Sequence, residues 1–230
     1  IMRNAAIKEA KELAGQIIER FHQSWNVEDK KYFCTVQLAL CAYPGFPKTA
    51  NELLKCLDLA VLQGTEQGSN QVVVYDSQLH QQYLRRQAIA KHLSTAIAEN
   101  QVEISYRPIY NQRRNTFTRA ELFMRIFIPE TGMIGSEEYL PIAEDTGQTR
   151  MVEYYALNQA AATIARLMHE GKKFESIAVP VAPALLQHGD FIEEVSQIIE
   201  DYEIPPKKLA LEIDEFTAST AYCDISVLLQ

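Results

Sequence analysis

The stretch from Phe117 to Ile128 constrains this chain more than any other. Ala120, Leu122, Met124, Ile126 and Ile128 fall on one side of an extended backbone, and Glu121, Phe123 and Arg125 fall on the other. Alternation with a period of two predicts a half-buried β-strand. It also sets a carboxylate and a guanidinium on the face away from the core, four residues and roughly 13 Å apart. The segment 208–214 repeats the pattern, with Leu209, Leu211 and Ile213 on one face and Ala210, Glu212 and Asp214 on the other. Two parallel strands of this kind would bring two carboxylates to one face, and hard divalent cations take oxygen ligands. By spacing alone, a glutamate on a strand is more often a solvated position than a metal ligand.

The rest of the chain supplies the elements around those strands. Ile7, Ala10, Leu13, Ile17, Phe21 and Trp25 recur at helical spacing, predicting a helix over 4–25. A strand is expected over 32–42, then a break at Pro44, Gly45 and Pro47. A second helix runs from about Thr49 to Glu66, with Thr49 and Glu52 spaced as a capping box and Gly68 as its stop. A short strand follows at 72–75. Residues 77–99 form a long polar helix with a thin apolar stripe (Leu84, Ile89, Leu93, Ile97), the profile of a connector between domains, so a boundary is placed near residue 80. Beyond it, strands at 101–110, 117–128, 175–182 and 208–214 alternate with helices at 136–146, 149–169 and 190–203. That order implies a parallel sheet with crossover helices.

Composition narrows the function classes. With 22 basic and 30 acidic residues in 230, the net charge is −8, which argues against a broad nucleic-acid footprint. Arg113, Arg114, Arg119 and Arg125 cluster, but three of them flank a turn rather than track a groove. An apolar content of 47% excludes a disordered tail. No apolar run approaches the roughly 20 residues of a membrane span, and the charged and apolar alternation over 1–12 predicts no secretory leader. Cys34, Cys41, Cys56 and Cys223 lack metal-ligand spacing and read as buried reduced thiols, while His22, His80, His92, His169 and His188 are scattered and read as structural or surface groups.

Five segments in order carry a resemblance. They are Tyr106-Arg107-Pro108-Ile109, the run Ala120 to Arg125, Pro129 to Ile134, Tyr139 to Gly147, and Leu211 to Glu215. The chain from Arg85 to Glu215 resembles the first half of an EAL domain, the bacterial cyclic-di-GMP phosphodiesterase fold. Ala42-Tyr43-Pro44, Leu57 to Leu62 and Gly68-Ser69-Asn70 resemble the C-terminal half of a GGDEF (diguanylate cyclase-like) domain. The expected fold class is α/β: a partial EAL (β/α) barrel preceded by the C-terminal part of a GGDEF-like α/β domain. The domains are expected at 1–76 (GGDEF-like), 77–99 (connector helix) and 100–230 (EAL-like). A whole barrel of this type has eight strands and some 250 residues. About four strands are legible here, so the chain is expected to be a piece of a longer protein.

The resemblance also assigns residues. In EAL domains a Glu, an Asn, a second Glu and a later pair of Asp hold two divalent cations that activate a water for attack on a phosphodiester. Glu121 and Glu212 match the two Glu ligands, but the Asn position falls at Pro180, which has no side-chain oxygen. The motif reads Glu121-Leu122-Phe123, with Leu122 expected outward and Phe123 inward, where its ring would crowd a nucleotide. Arg125 matches a phosphate-contacting Arg, Arg107 replaces a Gln, and Glu215 matches a Glu that braces a loop beside the metals. The Asp pair, the catalytic Lys and a last Glu would follow residue 230. In the GGDEF-like part, two nucleotide-contacting cations are replaced by Thr65 and Ser69.

The resemblance therefore implies a degenerate regulator acting through a protein partner. No catalytic residue is assigned with confidence and no cofactor is expected, with Mg or Mn required if the phosphodiesterase site is active. The CsrD (MshH)-type regulators, which promote decay of small regulatory RNAs through a partner nuclease, share this paired erosion. An active metal-dependent phosphodiesterase and a non-hydrolysing cyclic-di-GMP receptor are the alternatives. A cytoplasmic location is expected, at the inner face of the membrane if the full-length protein is anchored there.

Overall fold

A computed structural model of the chain describes residues 2, 6–43, 47–186 and 189–213. They divide into two compact units, Ile1–Leu84 and Arg85–Gln230.

In the first unit, α1 (Ile7–Phe21) leads into a small antiparallel hairpin of β1 (Trp25–Val27) and β2 (Lys30–Tyr32). Trp25 thus opens a strand instead of extending the helix. Arg20 lies over its ring at 3.8 Å, and Phe21 packs against it edge-on. The expected strand over 32–42 shortens to β3 (Gln37–Cys41) because Tyr32 belongs to the hairpin. α2 (Ala50–Gln67) crosses over to β4 (Gln71–Tyr75), which pairs parallel with β3. The capping box forms as the sequence predicts: the Thr49 side chain accepts from the Glu52 amide at 3.2 Å, and the Glu52 carboxylate accepts from the Thr49 amide at 3.2 Å. Gly68, at φ 117°, ends the helix with a backbone that disfavours a side chain.

Helix α3 (Ser77–Ala98) carries the division between the units, which falls after Leu84. Its second half is no free-standing connector. Ile89, Leu93, Ala96 and Ile97 are buried in the second core, whereas Leu84 is exposed.

The second unit is built on one sheet in the order β5-β6-β8-β9, with β7 paired to β6. β5 (Val102–Asn111) and β6 (Thr116–Ile128) are antiparallel, as are β6 and β7 (Gly132–Ile134). This corrects the all-parallel expectation. The link Asn111–Thr116 is a tight turn in which the Asn111 side chain accepts from the amides of Arg113 and Arg114 and Asn115 sits at φ 51°. A parallel return needs a dozen or more residues, which this link lacks. From β6 onward the expectation holds. α4 (Ser136–Asp145) and α5 (Thr149–His169) bridge to β8 (Ser176–Pro180). The short α6 (Pro183–Leu186), α7 (Phe191–Asp201) and a 3₁₀ turn (Pro206–Lys208) bridge to β9 (Leu209–Glu212). β6–β8 and β8–β9 are parallel. Leu122, Met124, Ile126 and Ile128 are buried against Val152, Leu157, Ala160 and Ile164 of α5, the core that positions the opposite face of the sheet.

Candidate functional site

Strand register assembles the site. Directly paired residues on neighbouring strands share a face. Arg107 of β5 stands opposite Glu121 of β6, Glu121 beside Ala178 of β8, and Ala178 beside Ala210 of β9. Two residues further along β8 and β9, Pro180 stands beside Glu212. Phe123 and Arg125 share the face of Glu121, opposite Ser105 and Glu103. Leu122 points to the buried side, as alternation requires. Glu215 lies outside the described residues. Thr65 and Ser69 lie in the first unit, Thr65 in the last turn of α2, where its hydroxyl donates to the Val61 carbonyl at 3.0 Å, and Ser69 in the turn before β4.

Glu121 and Glu212 are thus two strand spacings apart, roughly 10 Å, and offset by two residues along the strands. The position between them is Pro180. Within a strand, successive amides face opposite neighbours. Val181 donates to the Glu212 carbonyl at 2.9 Å, so position 180 faces β6, where pairing has already ended at Glu121 and Ala178. Proline has no N–H to donate, so the ladder between β6 and β8 goes no further. Among the described residues, no three His, Cys, Asp or Glu side chains come close enough to hold a metal ion.

The charge beside Glu121 belongs to the chain itself. Arg107 Nη1 lies 3.8 Å from Glu121 Oε2, and its guanidinium carbon lies 4.0 Å above the Phe123 ring. Glu121 is the more enclosed partner, with its side chain 20% exposed against 65% for Arg107. Arg125 faces Glu103 at 3.9 Å. These long, solvated pairs hold their arginines loosely, and both guanidinium groups remain open to an anion. A divalent cation at Glu121 would meet the Arg107 charge.

One residue of this region escaped the sequence reading. A cavity of about 110 Å³ lies on the helix side of the sheet, lined in part by Leu122, Met124, Tyr139, Glu153 and Val179. Glu153 of α5 is 4% exposed. Its Oε1 accepts from the Ala182 amide at 2.6 Å, and its Oε2 has no hydrogen-bond partner among the described residues. Burial pushes its carboxyl up to about 7, against the pull of the Ala182 amide and with a smaller contribution from Glu144. The available signal was a lone carboxylate at the inward spacing of Val152, Ala156 and Ala160.

Residues 90–228 match the EAL domain family. The chain belongs to that family. Among curated relatives, MucR of Pseudomonas aeruginosa, described as a bifunctional diguanylate cyclase/cyclic di-GMP phosphodiesterase, is 23% identical over 91% of this chain. The chain spans only 31% of that protein. The solved structure of the MucR phosphodiesterase in complex with c-di-GMP superposes at a TM-score of 0.57, with 24% identity over 62% of this chain and 58% of that one. The S helix-GGDEF-EAL structure of Vibrio cholerae LapD (apo) superposes at 0.55, with 15% identity over 99% of this chain and 52% of that one. At these identities the likeness is one of fold. The mixed α/β sheet of the second unit is a partial EAL barrel.

Proposed function

We propose that this chain is part of a degenerate GGDEF–EAL regulator that acts through a protein partner and does not hydrolyse cyclic di-GMP. The observation that carries the reading is Pro180 beside Glu212, the place where an EAL phosphodiesterase would present an amide oxygen to the metals. The Arg107 guanidinium at Glu121 supports it, because a resident cation competes with a divalent one. The proposed domains are 1–76, GGDEF-like; 77–99, connector helix; and 100–230, EAL-like. The likeness to the LapD structure over nearly the whole chain supports a GGDEF-like first part. Incubation of the full-length protein with cyclic di-GMP and Mg²⁺ or Mn²⁺ is expected to leave the cyclic dinucleotide intact. Linearisation that disappears in Glu121→Ala and Glu212→Ala would establish the active phosphodiesterase instead.

A second reading, a cyclic-di-GMP receptor, is favoured by two loosely paired arginines on the Glu121 face. Relatives of known structure bind this ligand. Calorimetric titration of the full-length protein separates the readings: saturable heat at micromolar ligand, lost in Arg125→Ala, supports the receptor. CsrD-like control of RNA decay would run through the partner. Arg114 and Arg119 are both paired to Glu175, which removes much of the apparent basic cluster.

A further inference from the structure

The first unit holds a pair of thiols that the candidate site does not use. Register sets Cys41 beside Tyr75 at the C-terminal ends of β3 and β4. α2 lowers Cys56, in its second turn, onto the same place. Cys56 and Tyr75 are buried, and Cys41 is half-buried at the edge of their cluster. Cys41 packs against the small buried cluster that holds both Cys56 and Tyr75. The Tyr75 hydroxyl lies 2.6 Å from Nδ1 of His80, in the first turn of α3. The order is therefore an outer thiol, an inner thiol, a phenol and an imidazole.

We propose that Cys41 and Cys56 form a redox modification site, closed to an intramolecular disulfide by a hydroperoxide. In the first step the Cys41 sulfur attacks the outer peroxide oxygen. The O–O bond breaks, an alcohol (or water) leaves with the thiol proton, and Cys41 becomes a sulfenic acid. In the second step the Cys56 sulfur attacks the Cys41 sulfur. The S–O bond breaks, and the hydroxide leaves as water with the Cys56 proton. Two thiols lose two electrons and two protons, and one hydroperoxide is reduced. Tyr75 and His80 supply the inner thiol with a route for its proton. Burial and the neighbouring thiol push the Cys41 thiol up, which keeps the thiolate scarce and the first step slow. The pair answers sustained exposure to oxidant rather than a brief pulse.

The test uses the whole chain carrying Cys34→Ser, which removes the exposed thiol that shares a tryptic peptide with Cys41. After treatment with hydrogen peroxide and digestion without reductant, mass spectrometry is expected to find peptides 32–48 and 56–85 linked and lighter by two hydrogens. Dithiothreitol should separate them. Sulfinic acid on Cys41 with Cys56 still a thiol would overturn the proposal. So would the absence of linked peptides under conditions that oxidise Cys34 in the unsubstituted protein. Tyr75→Phe should slow linkage on the order of tenfold or more; an unchanged rate would overturn the proton route.

Discussion

In the proposed reading, a proline and an arginine divide the work of silencing the Glu121 face. Pro180 withholds an oxygen, and Arg107 brings a charge where a cation would have to sit. Restoring the oxygen alone should therefore achieve little. Pro180→Asn is expected to bind Mn²⁺ no better than the parent protein, whereas Pro180→Asn with Arg107→Gln should bind it about 10–100-fold more tightly, read by calorimetry. Equal affinity in the single and double variants would remove Arg107 from the account. Glu153 makes a second prediction at this scale. Its carboxyl rises from 4.5 to about 7 on folding, so the native state holds a proton that the unfolded chain releases between those values. The associated stability is fully present below about pH 4.5 and is lost as pH rises through about 7. Glu153→Gln does not titrate and can keep its oxygen on the Ala182 amide. Urea denaturation should show its advantage over the parent growing from pH 5 to pH 8, by up to about 3 kcal/mol. Parallel curves across that range would mean the carboxyl is not buried in solution.

Elements differ in how openly the sequence declares them. The α2 N-terminus is written in four consecutive residues, Thr49 to Glu52, because a cap is a local matter of hydrogen bonds. Thr49→Ala should cost the first unit about 1 kcal/mol in denaturant midpoint analysis, with no change in the second. β6 was equally legible, since alternation and burial agree along its length. Strand direction was not, because the hairpin between β5 and β6 depends on the length and side-chain hydrogen bonds of the Asn111 turn rather than on apolar pattern. Trp25 misled for a related reason: its spacing continues α1, but its contacts with Arg20 and Phe21 are made across a chain reversal. The family motifs located Glu121, Pro180 and Glu212 on their strands. The row that joins Arg107 to Glu121 emerged only from register, which long-range pairing sets.

At the scale of the whole molecule there are two cores, and α3 contributes to both through different residues. Leu79 packs with Cys56 and Tyr75, whereas Ile89, Leu93 and Ile97 pack with β6 and α5. Ile89→Ala should therefore destabilise the second core by about 2–5 kcal/mol. Hydrogen exchange is the measurement: amides of β6 and α5 should lose protection while those of β3 and β4 keep it, and uniform loss would contradict two separate cores. No helix among the described residues is long and apolar enough to cross a membrane. The second sheet ends at β5 on one side and β9 on the other within those residues.

Position 180 turns toward β6 beyond the last pair, and Pro180 has no N–H to extend that ladder. Any residue that tolerates an extended backbone keeps the strand intact there. The ring at position 180 thus ends the ladder to β6 while β8 goes on to bond β9 through Val181. In the proposed reading, such a position lets the fold give up hydrolysis and still be kept for whatever its surface binds.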